Sequence, residues 1–119
     1  MEAAVRELSR ETYRELAPSA TRPLVIDFWG PQCMPCLALA PTFHELAERF
    51  ADGLEFCRVE APKNRMLCVD TRVMTLPTFL CVKDGMELDR LTGDVSPDEL
   101  TRWVSERYEQ EMGGDSGSG

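Results

Sequence analysis

Cys33 and Cys36 stand three residues apart, directly after the apolar run Leu24-Val25-Ile26-Asp27-Phe28-Trp29 and directly before a helix-like segment. Two thiols at that spacing on a helix start can point into the same turn. The first N–H groups of a helix have no intrahelical partner and carry partial positive charge. That field favours a thiolate on Cys33, and the thiolate is the form that attacks disulfides. The chemistry this placement suits is thiol–disulfide exchange.

Two further features bear on the pair. Asp27 is the only charge in a run that otherwise reads as core. A buried carboxyl without a full partner has a raised pKa and can pass a proton to or from a nearby thiol, directly or through water. A solvated aspartate at a strand end is the plainer alternative, and the mid-run position argues against it. Arg58, on the next apolar run, is a candidate ionic partner. Thr75-Leu76-Pro77-Thr78 places a proline at the start of a strand pattern, where pairing has not yet begun. A cis Leu76-Pro77 bond would turn the chain sharply there and expose the Leu76 backbone to an extended substrate.

The competing use of a Cys-x-x-Cys pair is zinc. A zinc site usually needs four ligands, and no second such pair accompanies the single histidine, His44. His44 is expected on the surface, and no metal or organic cofactor is expected. Cys57 and Cys81 lie inside apolar strand-like runs and read as small buried hydrophobes, as does Cys68 on a weaker signal. An odd count of five cysteines does not suit a secreted disulfide scaffold.

A chain of 119 residues with 43% hydrophobic content is enough for one domain with one core. A net charge of −8 repels phosphate, so nucleic acid is not an expected partner. No apolar run is long enough to span a membrane. The first residues show no basic stretch followed by an apolar one, so a cytoplasmic location is the default expectation. The chain is expected to act as a monomer.

Periodicity supplies the elements that must hold these residues. A short edge strand is expected over 4–8 and a helix over 10–16, capped by Ser9, with Pro18 and Pro23 bracketing a loop. Residues 24–29 read as a central strand. A helix over 33–50 carries a buried stripe of Leu39, Phe43, Leu46, Ala47 and Phe50, bent at Pro41. A strand over 54–59 and a weakly signalled helix over 62–70 follow. Strands over 78–82 and 87–91 form a hairpin about Asp84-Gly85, and Gly93 marks a place where a side chain would not fit. Ser96-Pro97-Asp98-Glu99 opens the last helix with a cap and a capping-box glutamate. Leu100, Trp103 and Val104 face inward, joined by the Arg107 stem or Tyr108. Residues 1–112 thus form one domain, and 113–119 a flexible Gly/Ser tail. This order implies an α/β fold with a mixed sheet, parallel around residues 24–29 and closed by an antiparallel hairpin.

Asp27-Phe28-Trp29-Gly30-Pro31-Gln32-Cys33-Met34-Pro35-Cys36, then Pro41, Leu76-Pro77-Thr78, Lys83-Asp84-Gly85 and Gly93, together resemble the thioredoxin family over about residues 4–110. The resemblance implies the thioredoxin fold, a central mixed sheet of about five strands flanked by about four helices. It implies that Cys33 attacks and forms a mixed disulfide, that Cys36 resolves it, and that Asp27 exchanges the proton of Cys36. Pro77 would be a cis-proline facing the dithiol, with Leu76 pairing its backbone to the substrate. Trp29, Gln32, Met34, Pro35, Thr75 and Gly93 would complete the substrate-facing surface, and Arg58 falls where the family has a lysine. Implied partners are client proteins with disulfides and a flavin-containing reductase resembling thioredoxin reductase. The chain departs from the family at Gln32, usually tryptophan, at Met34, usually glycine, and at Leu37, usually basic. These changes bear on partner choice. They also leave room for a binding or chaperone module in which redox turnover is incidental.

Overall fold

A computed structural model describes residues 4–118, with side chains described for 4–113. The elements are β1 (Val5–Glu7), α1 (Arg10–Ser19), β2 (Leu24–Trp29), α2 (Met34–Arg49), β3 (Glu55–Glu60), α3 (Arg65–Thr71), β4 (Thr78–Lys83), β5 (Met86–Thr92) and α4 (Pro97–Ser118). One 3₁₀ turn, Ala61–Lys63, precedes α3. The five strands lie in the order β1-β3-β2-β4-β5. β1, β3 and β2 run parallel, whereas β4 and β5 are antiparallel to their neighbours.

β2 is central because its residues from Leu24 to Phe28 are buried on both faces. Alternation sends Val25 to one side, where it packs with Leu39, Phe43, Leu46 and Ala47 of α2 and with Leu100 and Val104 of α4. Leu24, Ile26 and Phe28 go to the other side, against Ala17 of α1 and Leu67 of α3. The helices therefore cover both faces of the sheet. Phe43 sits at the middle of the first layer, its ring 5.4 Å from Phe56 and 5.9 Å from Phe79.

The local chemistry of the turns explains most boundaries. Ser9 caps α1 in a reciprocal box with Thr12. Asp84 (φ 54°) and Gly85 (φ 78°) both adopt left-handed backbone, as a two-residue hairpin turn of mirror-image type requires. Ser96 Oγ accepts from the Glu99 N–H while Glu99 accepts from the Ser96 N–H, closing the box that opens α4.

Two expectations are corrected. Pro18 does not lie in a loop but inside the last turn of α1. A proline there removes only one N–H from a frayed end, and the Ser19 hydroxyl donates to the Glu15 carbonyl in that turn. The helix expected over 62–70 is two pieces, because Asn64 (φ −136°, ψ 51°) leaves helical geometry between them. The last helix is Pro97–Ser118, and the tail expected over 113–119 falls almost wholly beyond the residues whose side chains are described. Gly119 lies outside the described residues.

Phe43→Ala is expected to lower the unfolding free energy by about 3–5 kcal/mol through the cavity it leaves between α2 and the sheet. Urea denaturation would show a lower midpoint at unchanged slope; a loss well under 1 kcal/mol would mean that this layer is not the core.

Candidate active site

The carboxyl end of β2 delivers the chain into a four-residue turn, 30–33, that ends on α2. Cys33 is the N-cap of that helix. Its N–H donates to the Gly30 carbonyl at 3.1 Å, its carbonyl accepts from the Leu37 N–H at 3.1 Å, and the Cys36 N–H points at Cys33 Sγ at 3.3 Å. Cys33 and Cys36 are joined in a disulfide, with their Cα atoms 5.3 Å apart. Cys33 is half-buried, whereas Cys36 is 1% exposed. No acidic residue stands in the first turn of α2, so nothing there opposes the positive helix terminus.

Asp27 lies two residues from Val25 on the same strand and thus faces α2. It is buried. Arg58 is its register partner on β3, and Arg58 Nε donates to Asp27 Oδ2 at 3.1 Å. Asp27 Oδ1 has no hydrogen-bond partner among the described residues. Burial pushes the carboxyl up to about 6, and the Arg58 charge and hydrogen bond only partly oppose it. The solvated-strand-end alternative for Asp27 is thereby removed.

The Leu76-Pro77 bond is cis, and Pro77 is buried while Leu76 is half-buried. A Cβ on Gly30 would lie 3.4 Å from Leu76 Cδ1 and 3.5 Å from Pro62. These are ordinary van der Waals distances, so the proline loop and the 3₁₀ turn lie within contact range of the thiol-bearing turn at Gly30. Thr75 is exposed, with its hydroxyl 3.0 Å from that of Thr92, and Thr78 Oγ1 lies 2.8 Å from the same Thr92 oxygen. Thr78 also donates to the Thr75 carbonyl at 2.7 Å. These threonines brace the proline loop against β5.

Gly93 has φ 99° and open space where a Cβ would stand. Its glycine answers to backbone conformation, not to crowding, which corrects the expectation that a side chain would not fit. Trp29 is half-buried under the Arg58 guanidinium. Gln32, Met34, Pro35 and Leu37 are exposed around the disulfide, Met34 at 72%. Met74, in the loop before Pro77, is 91% exposed. Pro62 and Thr92 were unassigned. Only the threonine-rich approach to Pro77 hinted at the brace.

The remaining thiols are poorly suited to exchange. Burial pushes Cys57 up to about 12 and Cys81 up to about 11, and it raises the half-buried Cys68 as well. His44 is exposed, with Nδ1 2.8 Å from the Ala40 carbonyl. Among the described residues, no three His, Cys, Asp or Glu side chains gather so as to hold a metal ion. No described helix is long and apolar enough to cross a membrane.

The thioredoxin family model matches residues 4–106. A thioredoxin of Acetoanaerobium sticklandii is 33% identical over 86 residues, which span 72% of this chain and 82% of that protein. Thioredoxin H7 of Arabidopsis thaliana is 35% identical over 101 residues, spanning 82% of this chain and 77% of the relative. The crystal structure of Malassezia sympodialis thioredoxin superposes with a TM-score of 0.81 over 90% of this chain and 93% of its own, at 22% identity, a likeness of fold. With a family match over most of its length and a bonded cysteine pair on the first turn of α2, the chain belongs to the thioredoxin family and is a thiol–disulfide oxidoreductase.

Proposed function

We propose that Cys33 is the attacking sulfur and Cys36 the resolving one. The observation that carries this assignment is the unequal burial of the two sulfur-bearing residues. A foreign disulfide can approach only the half-buried Cys33. In the reduced protein the Cys36 N–H and the helix terminus favour the Cys33 thiolate. The thiolate attacks one sulfur of a client disulfide, forming a Cys33–client bond and releasing the other client sulfur as a thiolate. Cys36 then gives up its proton and attacks Cys33 Sγ. The mixed disulfide breaks, the second client sulfur leaves as a thiolate that takes up a proton, and Cys33–Cys36 becomes the disulfide. Two electrons have passed to the client.

Asp27 is proposed as the acceptor of the Cys36 proton. It lies on the sheet face that α2 covers, and a carboxyl near 6 is mostly ionised at neutral pH yet basic enough to take a proton. An extended client segment is proposed to lie along Leu76 and Pro77, flanked by Trp29, Gln32, Met34, Pro35, Thr75 and Gly93. Return of electrons falls to a flavoenzyme of the thioredoxin-reductase kind, and the protein works as a cytoplasmic monomer without binding nucleic acid or membrane.

Cys36→Ser is expected to accumulate stable Cys33–client adducts, visible as higher-mass bands that collapse on reduction. Cys33→Ser is expected to abolish reduction of protein disulfides. Adducts that form equally well in both variants would overturn the assignment of roles. Asp27→Asn is expected to slow resolution of the mixed disulfide by about 10²-fold at neutral pH. In the wild type that step should slow as pH falls through about 6, and the variant should lose this limb in stopped-flow traces. Stability should respond in the opposite sense. A carboxyl raised from 3.8 to about 6 contributes stability below its unfolded value and loses it as pH rises through the folded one. The variant's unfolding free energy relative to wild type should therefore rise by on the order of 2 kcal/mol between acid and neutral pH. A pH-independent difference in urea titrations would show that Asp27 is not perturbed.

A further inference from the structure

Arg58 is buried on β3 and touches two residues of β2 in different ways. The edge of its guanidinium donates from Nε to Asp27 Oδ2 at 3.1 Å. The flat face lies over the Trp29 ring, with Cζ 4.3 Å from the ring centre. Asp27 and Trp29 are two apart on one strand and so point to the same side, with the guanidinium spanning both. Trp29 Nε1 is buried without a hydrogen-bond partner among the described residues, so the N–H does not pin the indole. Stacking of a cation on the ring is the directional contact that remains. A lysine supplies the charge and can sit over a ring, but it presents no plane to stack and must make both contacts from one compact ammonium.

We propose that Arg58 is a positioning residue whose one guanidinium holds the Asp27 carboxylate by its edge and orients the Trp29 indole beside the disulfide by its face. The two functions are thereby linked: a change in the charge of Asp27 reaches the indole through the guanidinium. This inference rests on the oxidoreductase reading above. The charged groups that face Asp27 are Arg58 from β3, His44 from α2 and Glu7 from β1. β4 presents the uncharged Phe79 at the same register. Of these groups, Arg58 is the one whose charge lies over the ring among the described residues.

The test uses the full chain labelled with 5-fluorotryptophan. Its two tryptophans give two fluorine signals, and Trp29→Phe identifies the one of interest. In the wild type the Trp29 signal is expected to move with pH through the Asp27 midpoint, and Asp27→Asn is expected to abolish that movement. Arg58→Lys should broaden the Trp29 signal and shift it toward free indole, while the midpoint stays within about one pH unit. Turnover of a protein disulfide by this variant should fall on the order of threefold to tenfold. Arg58→Met, which removes the charge as well, should raise the midpoint by more than about one unit. Should the methionine variant fail to fold, the lysine variant decides alone. A Trp29 signal and turnover in Arg58→Lys that match the wild type would overturn the proposal, leaving Arg58 as a charge partner only. A midpoint displaced by lysine as far as by methionine would overturn it too. A wild-type protein that reduces no disulfide would instead sink the oxidoreductase reading, while the fluorine spectra still report whether ring and carboxylate are linked.

Discussion

A strand buried on both faces has to end where its last peptide groups can find partners, and β2 ends on the start of a helix. Its residues from Leu24 to Phe28 are sealed between two helical layers. The apolar stripe of α2 must return to the face that Val25 occupies, so the helix has little freedom in where it begins. Each fully buried Leu or Phe in that layer contributes roughly 1.5–3 kcal/mol. That packing holds a helix terminus at the carboxyl end of the central strand, and Cys33 sits on it. The reactivity of the sulfur follows from the burial of residues well away from it.

The same layer makes Asp27 unusual. Water is removed from a carboxylate that, among the described residues, receives a single ion pair and has one oxygen without a donor. Desolvation outweighs the Arg58 attraction, and the group is pushed upward. Two or three convergent donors would have held it down as a permanent anion. The incomplete pairing leaves it able to change protonation state near neutrality, as a proton acceptor must.

Much of this was legible along the chain because the signals are local. The Ser9 and Ser96 caps, the Asp84-Gly85 turn and the apolar run of β2 depend on residues within a few positions of one another, and the structure places them where those patterns put them. Pro18 and the 62–70 segment were misjudged for a physical reason. Whether a proline or an asparagine interrupts a helix depends on which turn it occupies, and at Pro18 the helix has only one residue left to run. Gly93 was misjudged because crowding and left-handed backbone leave the same mark in a sequence. Pro62 and Thr92 gave no signal, since nothing nearby in the chain indicates that Pro62 meets the turn at Gly30 or that Thr92 meets Thr75 and Thr78.

Residue type and short-range spacing determined by themselves that two thiols share a helix start, that one carboxylate interrupts an apolar strand, and that the elements alternate as an α/β chain. Those are properties of contiguous residues. Only the folded arrangement decided which sulfur is covered, that the Leu76-Pro77 loop comes to lie against the turn at Gly30, and that Arg58 reaches Asp27 and Trp29 together. Each of those depends on strand register and on the packing of helices across the sheet. Such relations arise from the hydrophobic layers as a whole and are written in no single stretch of the chain.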